Sequence, residues 1–255
     1  MSDVSKGPRR VADILQFVAR TRVAPSSSQI FGHLELPRSS GYDLLRGLAE
    51  HQFLKRQPAG HWVLGDEFYA LALSRFGLGK IASRIDPILR ALQEETQETA
   101  QLAVLHHSST LITHAFSSTR SIHFIAEVGT ELPVNWTAAG RPLLSNLSAR
   151  EQRESFASHS RPSPTGNAVT MFAAFSREVK DAQHRGYAFE LEQAQARVCT
   201  VAAPVLASND QCIAAVMLVL PVERFLNSRD TIVSLVCSAA QKLRPQHKTA
   251  EAFRR

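Results

Sequence analysis

Ten histidines and three cysteines are the residues with the most obvious chemical potential in this 255-residue chain. Their spacing argues against an active centre. His106 and His107 are adjacent, so in an extended segment their rings face opposite sides and cannot share a metal ion. His114 and His123 alternate with apolar residues and have no carboxylate at ligand spacing. Cys199, Cys212 and Cys237 lack metal-type spacing, and an odd number of thiols makes no disulfide framework. A Cys199–histidine nucleophile would need an orienting third group, and neither that nor a nucleophile elbow accompanies it. Gly77-Leu78-Gly79 lacks the strand context and the further glycines of a phosphate loop. The expectation is a protein without catalysis, metal or cofactor.

Cations offer a different chemistry. Residues 1–60 hold nine Lys or Arg against five Asp or Glu, which accounts for most of the net charge of +6. Clustered cations release counterions from nucleic-acid phosphates, the main source of non-specific affinity. Arg38, Ser39, Ser40, Tyr42, Asp43 and Arg46 share the polar face of one predicted helix, with Lys55 and Arg56 in a strand just after it. Arginines there reach phosphates or guanine edges, while the hydroxyls supply neutral donors and acceptors. Asp43 repels phosphate but is able to accept from a cytosine amino group.

The elements that position this face follow from periodicity. Val11, Ile14, Leu15 and Val18 form the stripe of a first amphipathic helix. After the polar break Ala24–Ser28, Ser28 is expected to cap a short second helix beginning at Gln29 and ending at Leu34. Pro37 separates it from a third helix over 38–51, with Gly41, Leu44, Leu45 and Leu48 inward. Phe53–Arg56 and His61–Leu64 read as a hairpin around Gln57–Gly60. Three helices and a hairpin make a winged helix-turn-helix, which sets one helix into the major groove and the wing against the backbone. Such modules also serve protein–protein contacts, which stays open as the alternative.

Beyond it, Phe68–Phe76 reads as helix, and Ile85, Ile88, Leu89 and Leu92 line another. From Gln101 the pattern turns to strands at 101–105, 111–116 and 121–125, then a helix over 137–147 and a loop over 158–167. A helix over 176–184 ending at Gly186, strands at 198–205 and 212–220, and a last helix over 229–243 complete an α+β domain with an antiparallel sheet. No apolar run approaches the ~20 residues of a membrane span. The polar, basic Met1–Arg10 does not resemble a secretory signal, so a reduced cytoplasmic setting is expected.

The blocks Leu36–Leu45, Leu48–Leu54 and Trp62–Gly65 resemble the recognition helix and wing of the IclR family of bacterial regulators. Leu132–Leu144 is similar to that family's "l-P-l-h-a-t-a-x-G-k-a-l-L", and Arg185–Glu190 to its "r-G-y-a-x-d/e". Val198–Val205 is similar to its "r-C-i-A-a-P-v". The family's usual threonine and arginine of the recognition helix stand here as Ser40 and Asp43, and the stretch from Tyr187 to Cys199 is one residue short. The resemblance implies a DNA-binding domain over 1–65, a connector helix over 66–80 that serves dimerisation, and a GAF/PAS-like effector domain over 81–247. It implies a dimer or tetramer on a palindromic operator, contacted also by Ser28 and Gln29, and controlled by a small organic acid. Carried over by position, the ligand pocket takes Ala138, Ala139, Glu190, Cys199, Met217 and Val219, with Ser121 and Phe124, and Trp136 nearby. Met217 and Val219 replace residues that are often serine in binders of small polar acids. Unless they point into the sheet core, they favour an aromatic or medium-sized carboxylate.

Overall fold

The computed structural model describes residues 6–21, 23–120 and 127–245, which divide into two units between Arg75 and Phe76. In the first, α1 (Lys6–Arg20) buries Ile14 and Val18. α2 (Ser27–His33) starts earlier than expected, because Ser26 and not Ser28 is its cap. The Ser26 hydroxyl accepts from the Gln29 N–H, and the Gln29 side chain accepts from the Ser26 N–H at 2.8 Å. Only a residue three positions before Gln29 closes this reciprocal box. Pro37 precedes α3 (Arg38–Glu50), which turns Gly41, Leu45 and Leu48 inward. A Cβ at Gly41 would stand 2.5 Å from the Phe31 ring, so this glycine sets the close approach of α2 and α3. β1 (Leu54–Arg56) and β2 (Trp62–Leu64) pair antiparallel, with Gly60 at φ +82° in their turn. Trp62 is buried beneath them and donates its indole N–H to the Ser27 hydroxyl at 2.9 Å. This is a winged helix-turn-helix, followed by α4 (Asp66–Arg75).

The second unit is an α+β domain on an antiparallel sheet. Its strands are β3 (Thr99–His106), β4 (Ser109–Phe116), β5 (Glu131–Pro133), β6 (Ala188–Leu191), β7 (Val198–Leu206) and β8 (Cys212–Pro221). Their spatial order is β5-β4-β3-β8-β7-β6. The register Gln101↔Met217↔Ala202↔Ala188, with Thr99↔Val219↔Thr200↔Glu190 beside it, puts all eight residues on one face. Ala103, Ala188, Ala202 and Ala215 of that face pack against Ala138, Ala139, Leu143 and Ala182. Those last four belong to the turn before α6 (Gly140–Leu144), to α6 itself and to α8 (Phe172–Arg185). α5 (Ala82–Thr96) and α10 (Arg229–Leu243) pack against β3, β7 and β8. Arg84 of α5 donates to the carbonyls of Lys242, Leu243 and Arg244 at 2.9, 3.4 and 3.3 Å. It thereby satisfies carbonyls that the end of α10 leaves open.

Several sequence expectations need revision. The helix expected over 137–147 is only the five-residue α6, since Thr137–Ala139 form a turn. The helix expected over 176–184 extends to Phe172–Arg185, closed by Gly186 at φ +77°. α7 (Ala149–His159) was not foreseen, although Ser148 and Glu151 form a capping box at its start. Its last turn overlaps the start of the expected loop at Ser158. α9 (Val222–Asn227), β5 and β6 were also missed, all being six residues or fewer. The strand expected over 121–125 lies outside the described residues.

At Gly140 a Cβ would meet the Val134 carbonyl oxygen at 1.9 Å, and backbone cannot swing aside as a flexible side chain does. Gly140→Ala should therefore cost about 3 kcal/mol or more. Gly47 of α3 has open space around its Cβ position, so Gly47→Ala should raise stability by up to ~1 kcal/mol. Thermal unfolding of both variants checks the pair, and a tolerated Gly140→Ala would refute the close approach.

Candidate effector cavity and DNA-facing surface

On the first unit, the outward face of α3 follows from its buried stripe: with Gly41, Leu45 and Leu48 inward, Arg38, Ser39, Tyr42, Asp43 and Arg46 are exposed. Ser40 is half-buried and donates its hydroxyl back to the Pro37 carbonyl at 3.2 Å. Tyr42 stands edge-on to Phe31 with 55% of its surface exposed, which fixes the ring while leaving its outer edge free. Asp43 lies 2.9 Å from Arg46, which also approaches Glu50 at 4.0 Å. An exposed pair of this kind is worth well under ~1 kcal/mol, so it orients Arg46 without immobilising it. Ser28 and Gln29 are exposed at the start of α2. Lys55 and Arg56 are exposed on β1, with Lys55 4.0 Å from Asp66.

On the second unit, a cavity of about 550 Å³ opens over the polar end of the sheet face that α6 and α8 cover elsewhere. Gln101, Thr200, Met217 and Val219 form its floor, from β3, β7 and β8. Thr130, Leu132, Trp136 and Thr137 close one side, and Ala194, Gln195 and Val198 another. Trp136 is pinned there, donating its indole N–H to the Arg161 carbonyl at 2.9 Å with the Arg161 guanidinium 5.2 Å above its ring. Hydroxyls, amides and the carboxylate of Glu127 stand among apolar walls, a lining that takes a ligand with an apolar body and few polar groups.

Of the residues proposed for a pocket, Trp136, Met217 and Val219 line this cavity. Ala138 and Ala139 are fully buried in the core beside it, before a helix of only five residues. Ser121 and Phe124 lie outside the described residues. Cys199 pairs with Leu220 and Leu191, so its side chain points to the opposite face of the sheet. There burial pushes its thiol far above the ordinary range, which keeps it protonated and a poor nucleophile. Thr200 occupies the inward position instead. The spacing offered that signal: in the pattern "C-i-A-a-P" four steps separate cysteine from proline, and four steps back from Pro204 is Thr200. With Thr200 in that place, the stretch after Tyr187 is no longer short. Gln101, Thr137 and Gln195 were likewise unforeseen.

Glu190 stands beside Thr200 on β6, 2% exposed. Its Oε2 accepts from the Gln193 N–H at 2.7 Å, while Oε1 is buried without a hydrogen-bond partner. Burial pushes its pKa up to about 7, against the opposing pull of the Gln193 N–H, the Thr200 hydroxyl and the Arg141 guanidinium. Arg141 itself is buried. It bonds Glu178 at 2.6 and 3.0 Å, the Thr137 carbonyl at 2.6 Å and the Gln193 side-chain oxygen at 2.7 Å.

Residues 8–58 match the model of the IclR helix-turn-helix domain, and residues 73–244 that of the bacterial transcriptional regulator IclR C-terminal domain. The glycerol operon regulatory protein of Streptomyces griseus is 30% identical over 237 residues, covering 91% of this chain and 92% of that protein. The transcriptional repressor IclR of Escherichia coli is 23% identical over 234 residues, covering 90% and 85%. Among solved structures, an IclR homolog from Microbacterium hydrocarbonoxydans complexed with 4-hydroxybenzoate matches with a TM-score of 0.68. It is 26% identical and covers 92% of this chain and 95% of that one. The IclR of Thermotoga maritima, 21% identical with a TM-score of 0.67, covers 92% and 96% and shares the fold.

Glu190 makes stability depend on pH. Between pH 4.5, where the unfolded chain releases this proton, and about 7, the folded protein still holds it. The native state thus binds more protons, and this contribution falls as pH rises through that window. Glu190→Gln keeps an acceptor for the Gln193 N–H but never ionises. It should raise stability at pH 8 by something on the order of 3 kcal/mol and leave it nearly unchanged at pH 4.5. Melting temperatures of both proteins at the two pH values decide it; a gain independent of pH would exclude the charge as its cause.

Proposed function

The chain belongs to the IclR family of bacterial transcriptional regulators, and on that premise we propose that it controls a promoter in response to an aromatic or similarly apolar-bodied carboxylate. The observation that carries the ligand class is the cavity floor, where Met217 and Val219 set apolar surface beside the hydroxyl of Thr200. At about 550 Å³ the cavity suits a ring-sized acid, and burial of the ring contributes about 25 cal/mol per Å². The solved relative complexed with 4-hydroxybenzoate supports the same class. The acid group takes donors from Thr137 and Thr200. Glu190, behind Thr200, has its pKa pushed up to about 7 by burial, so near neutral pH about half of the molecules keep its proton and its repulsion of an approaching carboxylate is lessened.

In this reading residues 1–65 bind DNA, 66–80 connect and pair two copies, and 81–247 bind the effector. α3 enters the major groove of each half of a palindromic site, with Arg38 and Arg46 on phosphate or guanine and Lys55 and Arg56 of the wing on the backbone. The exposed Tyr42 and Ser39 face base edges, and Asp43 directs Arg46. Ligand binding favours one arrangement of the paired winged helices, a coupling of typically ~1–3 kcal/mol.

Two measurements test this. Arg38→Ala should weaken binding to the promoter fragment by ~1–3 kcal/mol in a gel shift at fixed salt, and full retention would remove α3 from the interface. In calorimetry, Val219→Ser should weaken benzoate-type acids more than it weakens pyruvate. The opposite order would overturn the assignment of the cavity and of the ligand class together.

A further inference from the structure

The segment between β6 and β7, residues 192–197, contributes Ala194 and Gln195 to one side of the cavity. Its two ends, Glu192 at φ +55° and Arg197 at φ +63°, are non-glycine residues in the left-handed region. Such backbone persists only where surrounding contacts fix it. The two ends are tied to each other, since the Glu192 side chain accepts from the Arg197 N–H at 2.6 Å and the Glu192 N–H donates to the Val198 carbonyl at 2.7 Å, and between them the segment is anchored from outside at Gln193. Its N–H donates to Glu190 of β6, its carbonyl accepts from the Thr165 hydroxyl, and its side-chain oxygen accepts from Arg141, each at 2.7 Å. Three separate parts of the chain thereby hold one residue, and the next two, Ala194 and Gln195, face the cavity. Val198, whose N–H donates to the Gln195 carbonyl at 3.3 Å, completes that side.

We propose that Gln193 is a positioning residue for effector binding, fixing the 194–198 wall of the cavity through its bonds to Glu190, Thr165 and Arg141. The proposal rests on the cavity being the effector site. Gln193 touches no ligand; it determines whether Ala194 and Gln195 stand where a ligand meets them, beside Val198, which β7 holds in register with β8. Removing its side-chain oxygen leaves Arg141 with Glu178 and the Thr137 carbonyl, so the fold retains its buried ion pair. The loss falls on the wall, which would then pay the ordering cost on binding rather than beforehand.

Gln193→Met keeps the volume of the side chain and deletes its amide, and with it the bond to Arg141, while the backbone bonds to Glu190 and Thr165 remain. In the full-length variant the melting temperature should stay within about 3 °C of wild type. Hydrogen exchange of the 194–198 amides should quicken at least tenfold, while that of α10 stays unchanged. Affinity for 4-hydroxybenzoate and benzoate, by calorimetry, should fall about tenfold. Unaltered exchange at 194–198, or wild-type affinity in the variant, would overturn the role of Gln193 alone. Failure of the wild type to bind either acid would instead bring down the effector reading on which the role depends. A global loss of protection, including α10, would make Gln193 a structural residue and likewise refute the proposal.

Discussion

A single buried guanidinium organises the second unit. Arg141 is 2% exposed, and a cation taken out of water at that depth is tolerable only with its N–H groups satisfied. Its partners come from three directions: the turn before α6 through the Thr137 carbonyl, α8 through Glu178, and the β6–β7 segment through Gln193. The Phe175 ring, 5.2 Å away, offers its face to the same cation. Each of these contacts ties a different segment of the chain to the same guanidinium. The two walls of the cavity, Trp136–Thr137 and Ala194–Gln195, are therefore suspended from one side chain. Asymmetry adds to the constraint, since Glu178 keeps about a third of its side chain in solvent and Arg141 does not. Glu178 would rehydrate if the pair broke, whereas the guanidinium has no such recourse.

The winged unit follows a simpler logic. Its core is a short list of apolar side chains, among them Ile14, Ile30, Phe31, Leu45, Leu54 and Trp62, and a glycine that lets two helices meet. Because every inward position of α3 is committed to that core, its outward residues are left to chemistry with a partner. Ser26 and Trp62 also meet around the same corner: the cap of α2 forms a bridge with His61, and Trp62 bonds Ser27. The start of α2 and the wing are thus tied to each other.

How much of this could be read from residues alone varied with the range of the forces involved. Helix stripes are local and periodic, so α1, α3, α5 and α10 lay where Ile14, Leu45, Leu89 and Val236 would put them. Short elements carry too few repeats, and β5, β6 and α9 escaped notice. The capping boxes at Ser26 and Ser148 were visible three residues apart, but Ser28 drew attention by standing next to the helix instead of three residues before a glutamine. The cavity was harder. Which face of β7 a residue takes depends on a step of one, so choosing Cys199 over Thr200 turned the inference to the wrong side of the sheet. Met217 and Val219 were named by likeness to a family, and Trp136 by its nearness in sequence to the residues so carried over. Gln193 had no signature at all, because its role arises from residues 28 and 52 positions away, Thr165 and Arg141, meeting it in space.

The alanine floor beneath α6 and α8 has a consequence for how this protein diversifies. Ala103, Ala188, Ala202 and Ala215 meet Ala138, Ala139 and Ala182 at a distance set by methyl groups. Any larger side chain there would lift a helix and, with it, the carbonyl that holds Arg141. That half of the sheet face is closed to variation. A new ligand preference arises more readily at the other half, where Thr200 and Val219 line the cavity; Met217 lines it too but also packs within the alanine cluster, so its replacement does cost packing. The sheet is in effect split along its length into a frozen half that preserves the fold and a permissive half on which selection can act, one residue at a time.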